Sequence, residues 1–212
     1  MIDFSYAQTM EGCTPIGKIG ESIQLSCAQA GLLESSNAAD IFNWKPVVDN
    51  QEFRRQDIDL LGLGVFDDIL VRREAKGCCY NTGNIFIETS TPSTPGWLDY
   101  SKADYLDYFR LAQGTLISLH LPTLRQYLLD QGSEYWAERW VTVYPTLDLQ
   151  TGEPKYNASG LTVRVWELEE YEGDWVRTQD ISRFVQPDMD KTIRQRIAEN
   201  IERKKARYAA IV

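Results

Sequence analysis

Histidine is almost missing from this chain of 212 residues, which has one, His120. Cysteine is scarce as well. Cys13, Cys27, Cys78 and Cys79 show no C-x-x-C spacing, so neither a Cys–His zinc site nor an iron–sulfur cluster is indicated. The adjacent Cys78 and Cys79 point to reduced, half-buried thiols rather than a strained disulfide. No apolar run approaches a membrane span, and the opening MIDFSYAQTMEGC has no basic region followed by an apolar stretch. The expectation is a cytoplasmic protein with no membrane association. Positive charge is in deficit: 22 Lys and Arg against 31 Asp and Glu leave a net charge of −9. Wrapping nucleic acid wholesale needs the opposite balance, because phosphates are contacted by Lys and Arg; a local basic patch is still allowed.

What is there is an ordinary globular composition, with 43% hydrophobic and 25% charged residues, enough for one compact domain and some appended structure. IGKIGESIQLSCAQAG (16–31) has Ile16, Ile19, Ile23 and Cys27 at helical spacing and ends at Gly31, which predicts an amphipathic helix. ESSNAAD reads as a loop. A strand-rich block follows: RRQDIDLLGLG, a turn near Gly64, DDILVRREAK, a break at Gly77, then NIFIE. TPSTPGW is a loop. DYSKADYLDYFRLA (99–112) predicts a helix, with Tyr100, Ala103, Leu106 and Phe109 on one face. TLISLHL predicts a short buried strand, and PTLRQYLLDQG a helix with Pro122 in its first turn. Beyond Trp140, WVTVYPTLDL and GLTVRVWELEEY predict a β-hairpin about a polar turn, and DMDKTIRQRIAENIERKKARYAAIV a charged helix. The alternation implies an α/β fold with a mixed central sheet flanked by helices.

Glu74 and Lys76 stand two apart in a predicted strand, and so share a face. A solvated ion pair worth well under ~1 kcal/mol is the plain explanation. The chemical one starts from Asp59, carried by the preceding strand. Two carboxylates on neighbouring strands suit a hard divalent cation with positions left for water and phosphate. A nearby lysine then assists the water that attacks a phosphodiester. Asp57 and Asp68 are alternatives to Asp59 as a ligand.

The succession RRQDIDLL, REAKG, YNTGNIFIET, TPGWLDYSKADYLDYF and LISLHLPTLRQYL resembles the PD-(D/E)XK nuclease superfamily, in particular a branch of small prokaryotic and phage members. The resemblance covers roughly residues 16–130. It implies a restriction-endonuclease-like αβββαβ core in residues 1–135, extended at 136–212 by the hairpin and a basic helix packed on the core. It implies a Mg²⁺-dependent deoxyribonuclease, with Mn²⁺ as a substitute metal. Asp59 and Glu74 are then metal ligands, Lys76 positions or activates the water, and Glu88 is a third carboxylate. Glu21 matches an acidic position on the first helix. Cys78 departs from the pattern, standing where related members often have an acidic residue. An alternative register would place Arg72 and Glu74 at the Glu-x-Lys positions and make the site degenerate. The partners implied are DNA, contacted by Arg203, Lys204, Lys205 and Arg207, and a homodimer or larger assembly. The competing expectation is a catalytically degenerate domain used for assembly, as in a phage particle, with Trp136, Trp140, Trp166 and Trp175 as interface anchors. His120 reads as a hydrogen-bonded strand-end residue, Trp97 as a turn residue or a base-stacking platform, and Thr82-Gly83-Asn84 as a turn or phosphate loop.

Overall fold

A computed structural model describes residues 14–33, 43–48, 50–64, 66–78, 83–147, 154–171, 173–186, 188–195, 198 and 202. The expected loop at 34–40, the basic cluster Arg203–Arg207, and Cys13, Cys79 and Thr82 lie outside them. The elements in chain order are α1 (Thr14–Gln29), β1 (Asn43–Pro46), α2 (Gln51–Arg55), β2 (Leu60–Leu63), β3 (Ile69–Cys78) and β4 (Asn84–Ser90). They continue with α3 (Trp97–Tyr100), β5 (Tyr105–Arg110), β6 (Thr115–His120), α4 (Leu121–Asp130) and α5 (Gly132–Arg139). The last are β7 (Trp140–Leu147), β8 (Pro154–Arg164), α6 (Val165–Glu169) and β9 (Val176–Asp180). Residues 188–195 are helical.

The fold is α/β. Six strands form a mixed sheet in the order β1-β2-β3-β5-β6-β9, and only β3 and β5 run parallel. A second sheet, β4-β8-β7, is antiparallel throughout. Segments from both sides of residue 135 share each sheet, since β9 closes one edge of the large sheet and β4 closes one edge of the small one. Among the described residues no helix is long and apolar enough to cross a membrane.

Helix α1 forms where its apolar spacing predicts it. Ile16, Ile19, Ile23 and Cys27 are buried on one face of the large sheet, among Ala75, Phe109, Leu111 and Leu116. The helix lies directly on β3: a Cβ at Gly77 would collide with the Ile16 carbonyl, so only glycine allows this approach. The opposite face of the sheet packs against the small sheet and α4 through Leu106, Tyr108, Ile117, Leu119, Ile85, Ile87 and Leu161. The hairpin expected from residue 140 onward is present as β7 and β8, although β8 begins at Pro154, inside the expected polar turn, and VWELE at its end is helical (α6).

Two expectations need correction. Residues 99–112 are not a helix. One short helical turn, α3, is followed by β5, which lies between β3 and β6 with Leu106, Asp107, Tyr108 and Phe109 all buried. A central strand covered on both faces loses its two-residue alternation, so chance helical spacing was the only period left to read. The NIFIE strand exists, but it joins the small sheet rather than following β3 in the large one. Asp104 fixes the entry to β5. Its carboxylate accepts hydrogen bonds from the Arg72 backbone N–H at 2.7 Å and from the Arg72 guanidinium at 2.7 and 3.1 Å.

On the α1 face, β3 buries a charge. Arg73 is 1% exposed and donates to the fully buried Asp107 at 2.7 and 2.9 Å, to the Leu33 carbonyl at 3.1 Å and to Ser118 Oγ at 3.1 Å. Gln24 and Ser118 donate to the same carboxylate at 2.8 and 2.7 Å, and the guanidinium lies over the Tyr105 ring. Removing one partner of such a pair leaves the other charge buried and uncompensated. Asp107→Ala is expected to cost about 3–5 kcal/mol in urea unfolding. The double change Arg73→Met with Asp107→Leu should cost clearly less than Asp107→Ala alone.

Candidate active site

The site is assembled on the other face of β3, where Glu74 and Lys76 point together. The strand is fixed there by β2 on one side and β5 on the other, and Glu74 is opposite Leu106. Strand β2 begins at Leu60, with Leu60 opposite Arg73. Just before it the chain is held by the Asp59 N–H donating to the Arg73 carbonyl at 2.9 Å. Asp59 then turns its carboxylate onto the β3 backbone and accepts the Ala75 N–H at 2.8 Å. A carboxylate therefore sits on the peptide between Glu74 and Lys76.

Asp57 comes in from the end of α2, in the left-handed region (φ 58°) that Asp tolerates better than most residues. Its Oδ2 is 3.2 Å from Lys76 Nζ. Lys76 also ion-pairs with Glu74, and the Glu74 and Asp57 carboxyls are within hydrogen-bonding reach of each other. The Tyr100 hydroxyl, from α3, is within hydrogen-bonding reach of Asp57. Asp57, Glu74, Lys76 and Tyr100 thus form one contiguous cluster, with Asp59 beside it.

The electrostatics follow from burial. Glu74 is fully buried, with the Lys76 ammonium as its ion-pair partner and the Asp57 carboxyl as its other polar neighbour. Burial pushes its pKa well above the usual carboxylate range against the pull of Lys76, and Asp57 adds to the rise. Burial alone would lower Lys76, but the Glu74 and Asp57 carboxyls outweigh it and hold the ammonium well above the ordinary lysine value. Asp57 has the reverse balance: burial works to raise it, yet Lys76 and the hydrogen bonds from its neighbours leave it below its usual value. Burial lifts Asp59 to about 6, opposed by the Ala75 N–H and Lys76 and reinforced by Glu21 and Asp57. Burial, then Asp57, drive the Tyr100 hydroxyl upward.

The structure brings together Asp57, Asp59, Glu74 and Lys76. Glu21 stands on the exposed flank of α1 and reaches Asp59 only through its field. Glu88 lies on β4 in the small sheet, and its influence registers on Tyr100. Asp68 does not share the site: it is exposed in the turn at the far end of β2 and β3, where Gly64 N–H meets its carbonyl. Trp97 is 3% exposed and so offers no stacking platform. His120 ends β6 with its Nδ1 2.7 Å from Thr123 Oγ1, as a strand-end histidine should. Trp140 and Trp166 are exposed, whereas Trp175 is buried and Trp136 is packed against the core. Sequence reasoning missed Tyr100 as a site residue, having placed it on the apolar face of a helix. Among the described residues no group of three or more His, Cys, Asp or Glu converges as a ready-made metal site. The donor chemistry nonetheless fits a hard cation. Asp59 and Glu74 offer oxygen only, and with Asp57 they set three carboxyls against the one Lys76 ammonium.

These features define a class: an α/β protein with a mixed six-stranded sheet whose central parallel pair carries a buried carboxylate–lysine cluster. No family model, curated protein or solved structure matches the chain.

The elevated Asp59 sets a pH dependence. A carboxyl whose pKa rises on folding takes up protons in the folded state, so its contribution is fully present below about 4 and is lost as pH rises through about 6. The rise from 3.8 to about 6 corresponds to on the order of 3 kcal/mol. Asp59→Asn keeps an acceptor for the Ala75 N–H. It should unfold at higher urea than the parent at pH 7, with the gap closing towards pH 4.

Proposed function

We propose that the chain is a metal-dependent deoxyribonuclease of restriction-endonuclease-like type that hydrolyses phosphodiester bonds, with Mg²⁺ as its ion and Mn²⁺ as a substitute. The observation that carries this reading is Glu74: a fully buried carboxylate ion-paired with Lys76 on β3 and flanked by Asp57 and Asp59 from the segment entering β2. Three carboxyls, Asp57, Asp59 and Glu74, stand around the single Lys76 ammonium, and a divalent cation would balance the excess of negative charge. The order of the parts also supports the proposal, with α1 ahead of an antiparallel β2–β3 pair that carries the acid and the Glu-x-Lys.

In this reading Asp59 and Glu74 hold the ion, which when bound supplies Lewis acidity towards the phosphate and lowers the pKa of a water. Lys76 places its ammonium beside the attacking water and the charge that develops on phosphorus. The Ala75 N–H orients the Asp59 carboxylate by donating to it, and the surrounding apolar core excludes bulk water from Glu74. Glu21 acts on Asp59 and Glu88 on Tyr100 through their fields, and the cluster Arg203, Lys204, Lys205 and Arg207 would supply phosphate contacts.

A second reading is favoured by a specific feature, the engagement of the Lys76 ammonium by two carboxyls. It makes the domain a degenerate nuclease-like module used in assembly, with the exposed Trp140 and Trp166 as anchors.

A plasmid-digestion assay in magnesium decides between them. The parent should cleave, EDTA should stop it, and Lys76→Ala and Asp59→Asn should each lower the rate by at least ~100-fold while melting as folded proteins. Variants that cut as fast as the parent would remove this site from the reaction. Calorimetry that detects no Mg²⁺ or Mn²⁺ binding, together with an inactive parent, would favour the assembly role.

A further inference from the structure

Asp57 is the residue whose backbone and side chain make opposite demands. Its φ of 58° is a conformation that glycine adopts without cost and that other L-residues adopt with some strain. The turn is held from outside: Lys102 N–H donates to the Gln56 carbonyl at 2.9 Å, and Ser101 Oγ to the Asp57 carbonyl at 3.4 Å. The side chain is therefore delivered to a fixed place, with its Oδ2 3.2 Å from Lys76 Nζ. The Tyr100 hydroxyl is also within reach of Asp57, and Tyr100 is 39% exposed. Glycine or asparagine would also suit the turn, and what the carboxylate of Asp57 adds is its contact with Lys76.

We propose that Asp57 is a positioning residue: from a left-handed turn pinned to the 101–102 segment, its carboxylate holds the Lys76 ammonium alongside Glu74. The purpose of this arrangement rests on the hydrolytic reading, whereas its geometry does not. Without Asp57, the four-carbon lysine stem has only Glu74 to fix its end, and several rotamers become open to it. With Asp57, the ammonium is held between two carboxyls, which makes it a fixed point charge rather than a mobile one.

A double-mutant cycle in urea unfolding at pH 7 tests the contact, using Asp57→Asn, Lys76→Met and the combination. Coupling should appear as a shift in the folded-to-unfolded ratio for the pair at least fivefold smaller than the product of the single shifts. Asp57→Gly, which suits the turn, repeats the cycle if the Asn variant is too unstable to measure. Additive behaviour in the measurable cycle overturns the proposal and leaves Asp57 as a turn residue only. Cleavage kinetics in magnesium then separate this idea from the nuclease reading. If the parent cleaves, Asp57→Gly should lower kcat at least tenfold with KM little changed. An unchanged kcat would overturn the positioning role. A parent that does not cleave, combined with a coupled cycle, rejects the nuclease reading while upholding the Asp57–Lys76 lock.

Discussion

The rest of the structure depends on how strand β3 carries charge on both of its faces inside the core. Facing α1, Arg73 is buried against Asp107 with Gln24, Ser118 and the Leu33 carbonyl completing its hydrogen bonds. Facing the small sheet, Glu74 is buried against Lys76 and Asp57. One face is closed: each polar group of the Arg73–Asp107 pair has a donor or acceptor in place, so it behaves as a fixed structural element. The other is unbalanced: the Asp57, Asp59 and Glu74 carboxyls stand around one ammonium, that of Lys76. Adjacent residues in one strand thus serve two different ends, because the pleat sends them to opposite sides of the sheet.

That asymmetry separates a structural ion pair from a candidate site. A buried pair with every lone pair satisfied is tolerated and has little to offer a ligand. A cluster of three carboxyls with one ammonium, and raised proton affinity at Glu74 and Asp59, is poised to accept further positive charge. Divalent cations are one way to supply it. The rigidity comes from the sheet: β2 and β5 fix β3 by backbone hydrogen bonds, and the close contact of Gly77 with α1 fixes it from behind.

Much of the site was legible. The Glu74-x-Lys76 spacing placed both side chains on one face because strand periodicity is a local property, and Asp57 and Asp59 were both marked as acids entering the site. Which of the two touches Lys76 was not legible, because it depends on the left-handed turn at Asp57 and on where residues 101–102 pin it. The same holds for Asp68, which shares the alternation but lies at the wrong end of the strand pair. Tyr100 and Asp104 are hidden because the spacing of their segment predicts a helix. Its apolar residues satisfied a helical period by chance, and β5 is buried on both sides.

The sequence by itself determined the periodic elements, α1 above all, the hairpin of β7 and β8, and the shared face of Glu74 and Lys76, since each follows from spacing along a single segment. Only the tertiary structure decided that NIFIE leaves the large sheet for the small one, that β9 returns to close that large sheet, and that Asp57 rather than Asp59 meets the lysine. Those outcomes rest on contacts between segments far apart in the chain, where burial and hydrogen-bond satisfaction override local preference.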